Sequence, residues 1–368
     1  MESQDKNIKI GIVAGEQSGD QLGADLIQRI KAIDSSVEFV GVGGIHMIKQ
    51  GLKSFFDMEK ISVMGILEPL KNLKEILLLR KNLKDYLVKQ KIDLFIGIDS
   101  PDFNLSISRH LKKQGIKSIQ YVGPSIWAWR QGRIKTIERS VDEVLTLFPF
   151  ESNAYKRSSV NITFVGHPLA HSIKNQTKED KRSNKKMVLM PGSRKSEVLA
   201  HGKVFLETAK KIRESNKNFS FHMPLVNKSH IGLIDGLNNE SWVEVSIGNS
   251  KEILREASLG LVTSGTASLE AALHRTPVVV AYKTNWLSYG LIKPLLRVKN
   301  IALPNLLSEK EILPEFLQGD VNSENLLEGL RAIQDNYLSY LKEFDEIHMS
   351  LLSEGPNTAA KRVIELIS

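Results

Sequence analysis

The sequence predicts an α/β protein built from two doubly wound, Rossmann-like domains. Three observations carry this reading. Short apolar runs recur with helical segments between them, a polar stretch interrupts the alternation near mid-chain, and 368 residues exceed one ordinary core. Taken in order, Ile8–Ala14 is an apolar run ending in GEQSGD (Gly15–Asp20), after which Leu22, Leu26, Ile27 and Ile30 repeat at helical spacing. Phe39–Val42 precedes Gly43, Leu94–Ile98 precedes a helix expected near Asn104–Gln114, and Lys117–Tyr121 precedes SIWAWR. Ile162–Val165 reads as the last strand of this half, so residues 1–171 form the first expected domain. Ser172–Lys186 is polar and charged with one isoleucine, as a linker would be. Alternation restarts at Met187–Met190, with PGSRKSEV behind it and a helix to about Ser215. Phe219–Met223, Leu259–Val262 and Val278–Ala281 continue it, and the chain from about Glu309 reads as mostly helical. The second domain is thus expected over 187–345, followed by C-terminal helices in 346–368.

Composition narrows the chemistry. Lys and Arg number 50 against 42 Asp and Glu, a formal charge of +8 that suits an anionic partner: nucleic acid, phosphorylated substrate or acidic membrane surface. The absence of cysteine excludes disulfides, thiolate zinc sites and cysteine nucleophiles. The start MESQDKNIKIGIVAG has no signal-peptide pattern, and no apolar run approaches the roughly 18 residues of a spanning helix. A soluble or peripheral cytoplasmic protein is expected.

Several motifs are missing. GVGGIH (Gly41–His46) has His46 where a dinucleotide fingerprint has its third glycine, no G-x-x-x-x-G-K-[ST] loop occurs, and GEQSG carries its serine one place late for a nucleophile elbow. No two aspartates lie two apart, so a D-x-D metal–diphosphate site is absent, and His167 and His171 lack a third ligand near in sequence.

What remains sits at strand ends, where open α/β sheets bind ligands. GEQSGD and Ile98–Asn104 would form one wall of an inter-domain cleft; PGSR and SGTASLE would form the other. In SGTASLE (Ser264–Glu270), a strand, a small-residue turn and a helix start place free N–H groups and the positive helix end together, which suits phosphate. Gly265 permits close approach, Ser264 and Thr266 add hydroxyls, and Glu270 could accept from a ribose diol; an ordinary N-cap with a solvated Glu explains the same residues. Arg194 of PGSR offers a guanidinium fork for a diphosphate or is a surface arginine in a tight turn. Asp99 of GIDSPDFN ends a strand where partial burial would make it a base, or it is a turn residue. SIWAWRQGR (Ser125–Arg133) fits base or sugar stacking as well as core packing. In Val63–Leu87 the stripe Leu70, Leu73, Ile76, Leu77, Leu83 and Leu87 runs beside Lys71, Lys74, Arg80, Lys81 and Lys84; it is either core or an anionic membrane interface.

Together these stretches resemble the lipid-A-disaccharide synthase family. The residues are AGEQSGD (Ala14–Asp20), FVGVGG (Phe39–Gly44), VMGILE (Val63–Glu68), GIDSPDFN (Gly97–Asn104), SIWAWRQGR, PFE (Pro149–Glu151), VGHP (Val165–Pro168), PGSRKSEV (Pro191–Val198), SGTASLE and LPNLL (Leu303–Leu307). Each is weak singly, and ten in order are specific. The resemblance implies a GT-B fold and an inverting, metal-independent glycosyltransferase without cofactor. Its reaction would move 2,3-diacylglucosamine from its UDP derivative to 2,3-diacylglucosamine 1-phosphate, making a β-1,6 linkage and UDP. Carried over by motif, Asp99 is the base and Arg194 the donor-diphosphate residue. Ser264, Gly265, Thr266 and Glu270 form the nucleotide site, Asn305 is a donor-side contact, and Glu16, Ser18 and Asp20 belong to the acceptor-side loop. Gln17 stands where a small hydroxyl residue is more usual. Met64, Ile66, Leu67, Leu70, Leu73 and Leu77 become membrane-facing, placing the protein peripherally on the cytoplasmic face of the inner membrane. C-terminal helices of the family can cross back to the first domain or exchange within a homodimer. The competing readings are a UDP-sugar epimerase, which needs no second substrate, and a nucleic-acid binder, which the dispersed charge does not favour.

Overall fold

The computed structural model describes residues 7–62, 69–128, 131–173, 185–285, 289–290, 298–308 and 310–367, without the side chains of 62 and 69–73. It divides into two units, residues 1–171 with 351–368 and residues 172–350.

The first unit holds a parallel sheet of seven strands: β1 (Lys9–Ala14), β2 (Glu38–Val42), β3 (Leu52–Ser54), β4 (Leu94–Ile98), β5 (Lys117–Tyr121), β6 (Glu143–Thr146) and β7 (Asn161–Phe164). Their order is β3-β2-β1-β4-β5-β6-β7, so the chain reverses direction across the sheet between β1 and β4. Alternate side chains of one strand enter different cores, as the two-residue period requires. Ile10, Ile12 and Ala14 of β1 and Leu94, Ile96 and Ile98 of β4 pack with Leu26, Ile27 and Ile30 of the helix Gln17–Ile33. Val13 and Phe95 turn the other way, against Leu83 and Leu87 of the helix Pro69–Lys89 and Phe103, Ile107 and Leu111 of the helix Pro101–Lys112. Strands covered on both faces read as unbroken apolar runs, which is why β4 is legible as LFIGI.

The second unit repeats the plan with β8 (Lys186–Met190), β9 (Ser220–Leu225), β10 (Val243–Ile247), β11 (Leu259–Thr263), β12 (Val278–Tyr282) and β13 (Glu315–Leu317). The order β10-β9-β8-β11-β12-β13 puts its reversal between β8 and β11. Two parallel sheets with helices agree with the two-domain Rossmann-like expectation.

Details differ from the sequence reading. Strands β3, β6, β10 and β13 go unassigned in it; β3, β10 and β13 are edge strands and β6 reads EVLT, so none has an apolar run to mark it. The expected helix near Asn104 starts at Pro101, where proline is tolerated at the first helical turn. Most of the expected linker 172–186 lies outside the described residues, and Lys186 already belongs to β8. Helix Tyr337–Ser350 stays with the second unit, whereas residues 351–368 group with the first. There the helix Thr358–Ile367 buries Ala359, Ala360 and Val363 in the same core as helix Gln17–Ile33.

Candidate active site

The site residues of the first unit gather at its reversal point. Ala14 pairs with Ile98, so the loops leaving β1 and β4 are neighbours. A Cβ added to Gly15 would stand 2.6 Å from Ser100 Oγ, so glycine is needed for this approach. Asp99 and Ser100 both adopt left-handed backbone, with φ of 47° and 41°. Such a turn is unfavourable for non-glycine residues and persists where neighbours hold it. Two fully buried amides do so: Asn104 Nδ2 donates to the Asp99 carbonyl at 2.9 Å and Gln120 Nε2 at 3.0 Å. The Asp99 N–H donates to the Tyr121 carbonyl at 2.9 Å. Asp99 is half-buried at the β4 end.

Glu16 caps helix Gln17–Ile33 with extended backbone and is half-buried, while Ser18 is exposed in the first turn. Asp20, of the same loop, faces inward. It is buried and accepts from the N–H groups of Gly44, His46 and Met47 at 2.8, 3.0 and 3.0 Å. It therefore secures the GVGG loop against helix Gln17–Ile33. His167 Nδ1 accepts from Leu169 N at 3.2 Å and His171 Nε2 meets Ser353 Oγ at 3.1 Å, so both rings serve the local backbone and the returning C-terminal segment. Trp127, half-buried, packs edge-on against Phe150 at 5.0 Å; Trp129 lies outside the described residues.

In the second unit Met190 pairs with Val262, which sets the turn after β8 beside the turn after β11. Gly265 has φ 132° and ψ −151°, a conformation available essentially to glycine alone. Apart from its chain neighbours and the start of its own helix, no heavy atom of the described residues lies within 4 Å of where its Cβ would be. Thr266 is exposed at the first position of the helix Thr266–Leu273. Ser264 Oγ donates to the Ile301 carbonyl at 3.2 Å. Glu270, half-buried, has its carboxyl pushed above the ordinary range by burial, against the opposing pull of Lys251.

Arg194 heads the helix Lys195–Ser215 with its side chain 69% exposed, 3.8 Å from Glu197. Glu197 Oε2 accepts from the N–H groups of Ser193 and Arg194 at 2.9 and 3.2 Å, so this helix start is partly capped by its own carboxylate. The Arg194 side chain is thus exposed, as is the Gly265–Thr266 helix start of the neighbouring turn.

Asn305 likewise faces inward. It is buried, donates to Leu313 O at 2.9 Å and accepts from the N–H groups of Ile312 and Leu313 at 2.9 and 2.7 Å. All its side-chain atoms hold the LPNLL turn. Glu315 accepts from the N–H groups of Ile301 and Ala302 at 2.8 and 3.0 Å and from Asn305, tying this turn to β13. Sequence reading missed Glu315 because EFL carries no motif, and missed the support role of Asn104 although GIDSPDFN contains it. Leu77 is exposed on helix Pro69–Lys89, whereas Ile76, Leu83 and Leu87 of the same stripe are buried core. Leu70 and Leu73 occupy that helix; Met64, Ile66 and Leu67 lie outside the described residues.

Comparison with known proteins resolves what this geometry leaves open. Residues 10–361 match the family described as lipid-A-disaccharide synthetase. The lipid-A-disaccharide synthase of Idiomarina loihiensis is 41% identical over 97% of this chain and 98% of its own. That of Pseudomonas fluorescens is 41% identical over 98% of each.

The chain belongs to the lipid-A-disaccharide synthase family.

It is accordingly a glycosyltransferase that forms the lipid A disaccharide, acting on lipid-linked sugars. The solved glycotransferase of kitacinnamycin aligns with a TM-score of 0.68 at 14% identity, covering 98% of this chain and 99% of that one. The UDP-GlcNAc 2-epimerase of Neisseria meningitidis, bound to UDP-GlcNAc, aligns at 0.65, also at 14% identity, with 98% and 99% covered. These likenesses support the GT-B kind of two-domain fold and, since they include both transferase and epimerase, do not choose a reaction. Family membership makes that choice. Among the described residues no helix is long and apolar enough to cross a membrane.

Proposed function

We propose that this chain transfers 2,3-diacylglucosamine from UDP-2,3-diacylglucosamine to 2,3-diacylglucosamine 1-phosphate, releasing UDP and forming a β-1,6 linkage with inversion. In this reading the donor's diphosphate lies on the N–H groups of the Gly265–Thr266 helix start, with Arg194 as its countercharge and Glu270 toward the nucleotide sugar. Asp99 accepts the proton of the acceptor's 6-hydroxyl as that oxygen attacks C1 of the donor, and the C1–oxygen bond to UDP breaks in line. The catalytic assignment rests on one observation above all, the left-handed Asp99–Ser100 turn held by Asn104 and Gln120 at the reversal point of the first sheet. Glu16 and Ser18 line the adjoining loop as the acceptor side. Exposed Leu77 and Leu78, beside exposed Lys74 and Lys81, favour contact with a membrane surface that carries the lipids.

The deciding assay mixes both lipids with the purified protein in detergent and EDTA. UDP and a tetraacyl disaccharide 1-phosphate should appear only when both lipids are present. UDP released or the donor isomerised without acceptor would reject the transfer reaction.

A further inference from the structure

On the first unit a second feature adjoins Asp99 without sharing its residues. An open groove of about 560 Å³ runs between helix Pro101–Lys112 and the segment Gln131–Glu138, lined among others by Asp102, Ser106, Arg109, Arg133 and Thr136. Behind it, on helix Pro69–Lys89, Lys84 Nζ donates to Ser106 Oγ at 2.9 Å. The Arg80 guanidinium lies over the Phe103 ring at 5.2 Å, and its buried Nε has no hydrogen-bond partner among the described residues. Arg133 donates to Asp102 at 2.5 Å. Arg133 and Arg80 thus both act on Asp102, while Asp85 is the carboxylate that acts on Lys84. Burial lowers the pKa of Arg80 and of Lys84, and Arg80 lowers that of Lys84 further. Hydroxyls of Ser106 and Thr136 add donors of the kind a phosphate accepts.

We infer that this groove binds the phosphate of the acceptor lipid, with Arg109 and Arg133 as positioning residues for that group. The assignment rests on the reading that Asp99 receives the acceptor hydroxyl. Pro101 and Asp102, two and three residues after Asp99, line this groove. In this reading a sugar with its 6-hydroxyl at Asp99 places its 1-phosphate in the adjoining groove. Exposed Leu77 and Leu78, one turn before Arg80 and Lys81, offer apolar surface for acyl chains nearby. Binding the phosphate makes the enzyme discriminate between phosphorylated and unphosphorylated acceptor, because the cations would otherwise lose their partner.

The test is equilibrium binding of 2,3-diacylglucosamine 1-phosphate in neutral detergent micelles, for the parent protein, Arg109→Gln, Arg133→Gln and Thr136→Glu. Each variant should bind it at least about tenfold more weakly, the loss of one charge-assisted contact. Affinity for UDP should stay at the parent value, and diacylglucosamine lacking the phosphate should bind parent and variants alike. Arg109→Lys should recover part of the loss. Arg109 and Thr136 are exposed, so these variants fold even if loss of the Arg133–Asp102 pair destabilises the third. Unchanged affinity for the phosphorylated lipid in Arg109→Gln and Thr136→Glu overturns the proposal. So does a defect confined to binding phosphatidylglycerol vesicles, which would assign the cations to bulk anionic headgroups. Because binding is read without turnover, a parent protein that binds the lipid selectively but makes no disaccharide refutes the transfer reaction and leaves the groove assignment standing.

Discussion

At the residue scale, Asp99 and Gly265 occupy backbone conformations that most side chains avoid, and each does so where chemistry is expected. Asparagine tolerates left-handed backbone as aspartate does but cannot take a proton. Asp99→Asn should therefore keep UDP affinity and melting temperature while lowering kcat by about 10²–10⁴-fold; a fully active variant removes Asp99 from proton transfer. Among the described residues Gly265→Ala meets no steric neighbour beyond its own turn, so its expected effect is conformational. It should destabilise the protein by about 1–3 kcal/mol in equilibrium denaturation and weaken UDP binding as the turn re-forms. A variant with unchanged denaturation and UDP affinity would show that the turn relaxes without consequence. Asp99 and Gly265 were legible because their motifs lie directly after apolar strands. Asp20 and Asn305 carried equally good motifs, yet both are turned to backbone groups, and nothing in a linear motif says which way a carboxylate or amide faces.

Among elements, the C-terminal helix Thr358–Ile367 depends on a contact far removed in sequence. Arg362 donates through Nε and Nη2 to both oxygens of Glu143, at 2.7 and 2.8 Å, and Glu143 is fully buried. Removing the arginine leaves a buried carboxylate with Thr163 Oγ1, at 2.6 Å, as its remaining side-chain partner. Arg362→Ala should thus cost on the order of 3 kcal/mol and speed proteolysis after Leu351. Glu143→Gln with Arg362→Ala should recover part of this, since the buried charge is then gone; equal instability of single and double variants would reject the explanation. Glu143 lies on β6, a strand that the sequence reading passed over, because Glu and Thr at two of its four positions break the apolar run. Conversely, helix Pro69–Lys89 was recognised by its leucine stripe, but the stripe divides: Leu83 and Leu87 are core while Leu77 is exposed. Periodicity detects an amphipathic helix without revealing what covers its apolar face.

For the whole molecule, buried titratable groups give stability a definite pH dependence. Burial drives the His167 imidazole down to about 4, with His171 adding to the effect. The unfolded chain takes up a proton near pH 6.5 that the folded ring refuses until about 4, so stability is complete above 6.5 and falls as pH drops through this window. Each proton corresponds to a slope of about 1.4 kcal/mol per pH unit. His201, buried between the Glu197 carbonyl and the Lys283 N–H, pulls in the same direction. Glu151 does the opposite: burial raises it to about 8, so its contribution declines as pH rises from 4.5 towards 8. Subtraction isolates one group. His167→Gln should flatten the fall in unfolding free energy between pH 6.5 and 4 relative to the parent protein, and identical slopes would exclude His167 as a source.

Sequence alone determined the α/β alternation, the main central strands, the order of the loops and the family resemblance, because these follow from local periodicity and from short motifs next to strands. Tertiary structure decided what depends on distant partners. It brought Gln120 and Asn104 to the Asp99 carbonyl, directed Asp20 onto the GVGG loop, joined Glu315 to the LPNLL turn, and returned residues 351–368 to the first unit. The division has a physical origin. A strand or helix announces itself through spacing along the chain, whereas a polar side chain buried in a fold takes whichever partner the fold brings within hydrogen-bonding distance.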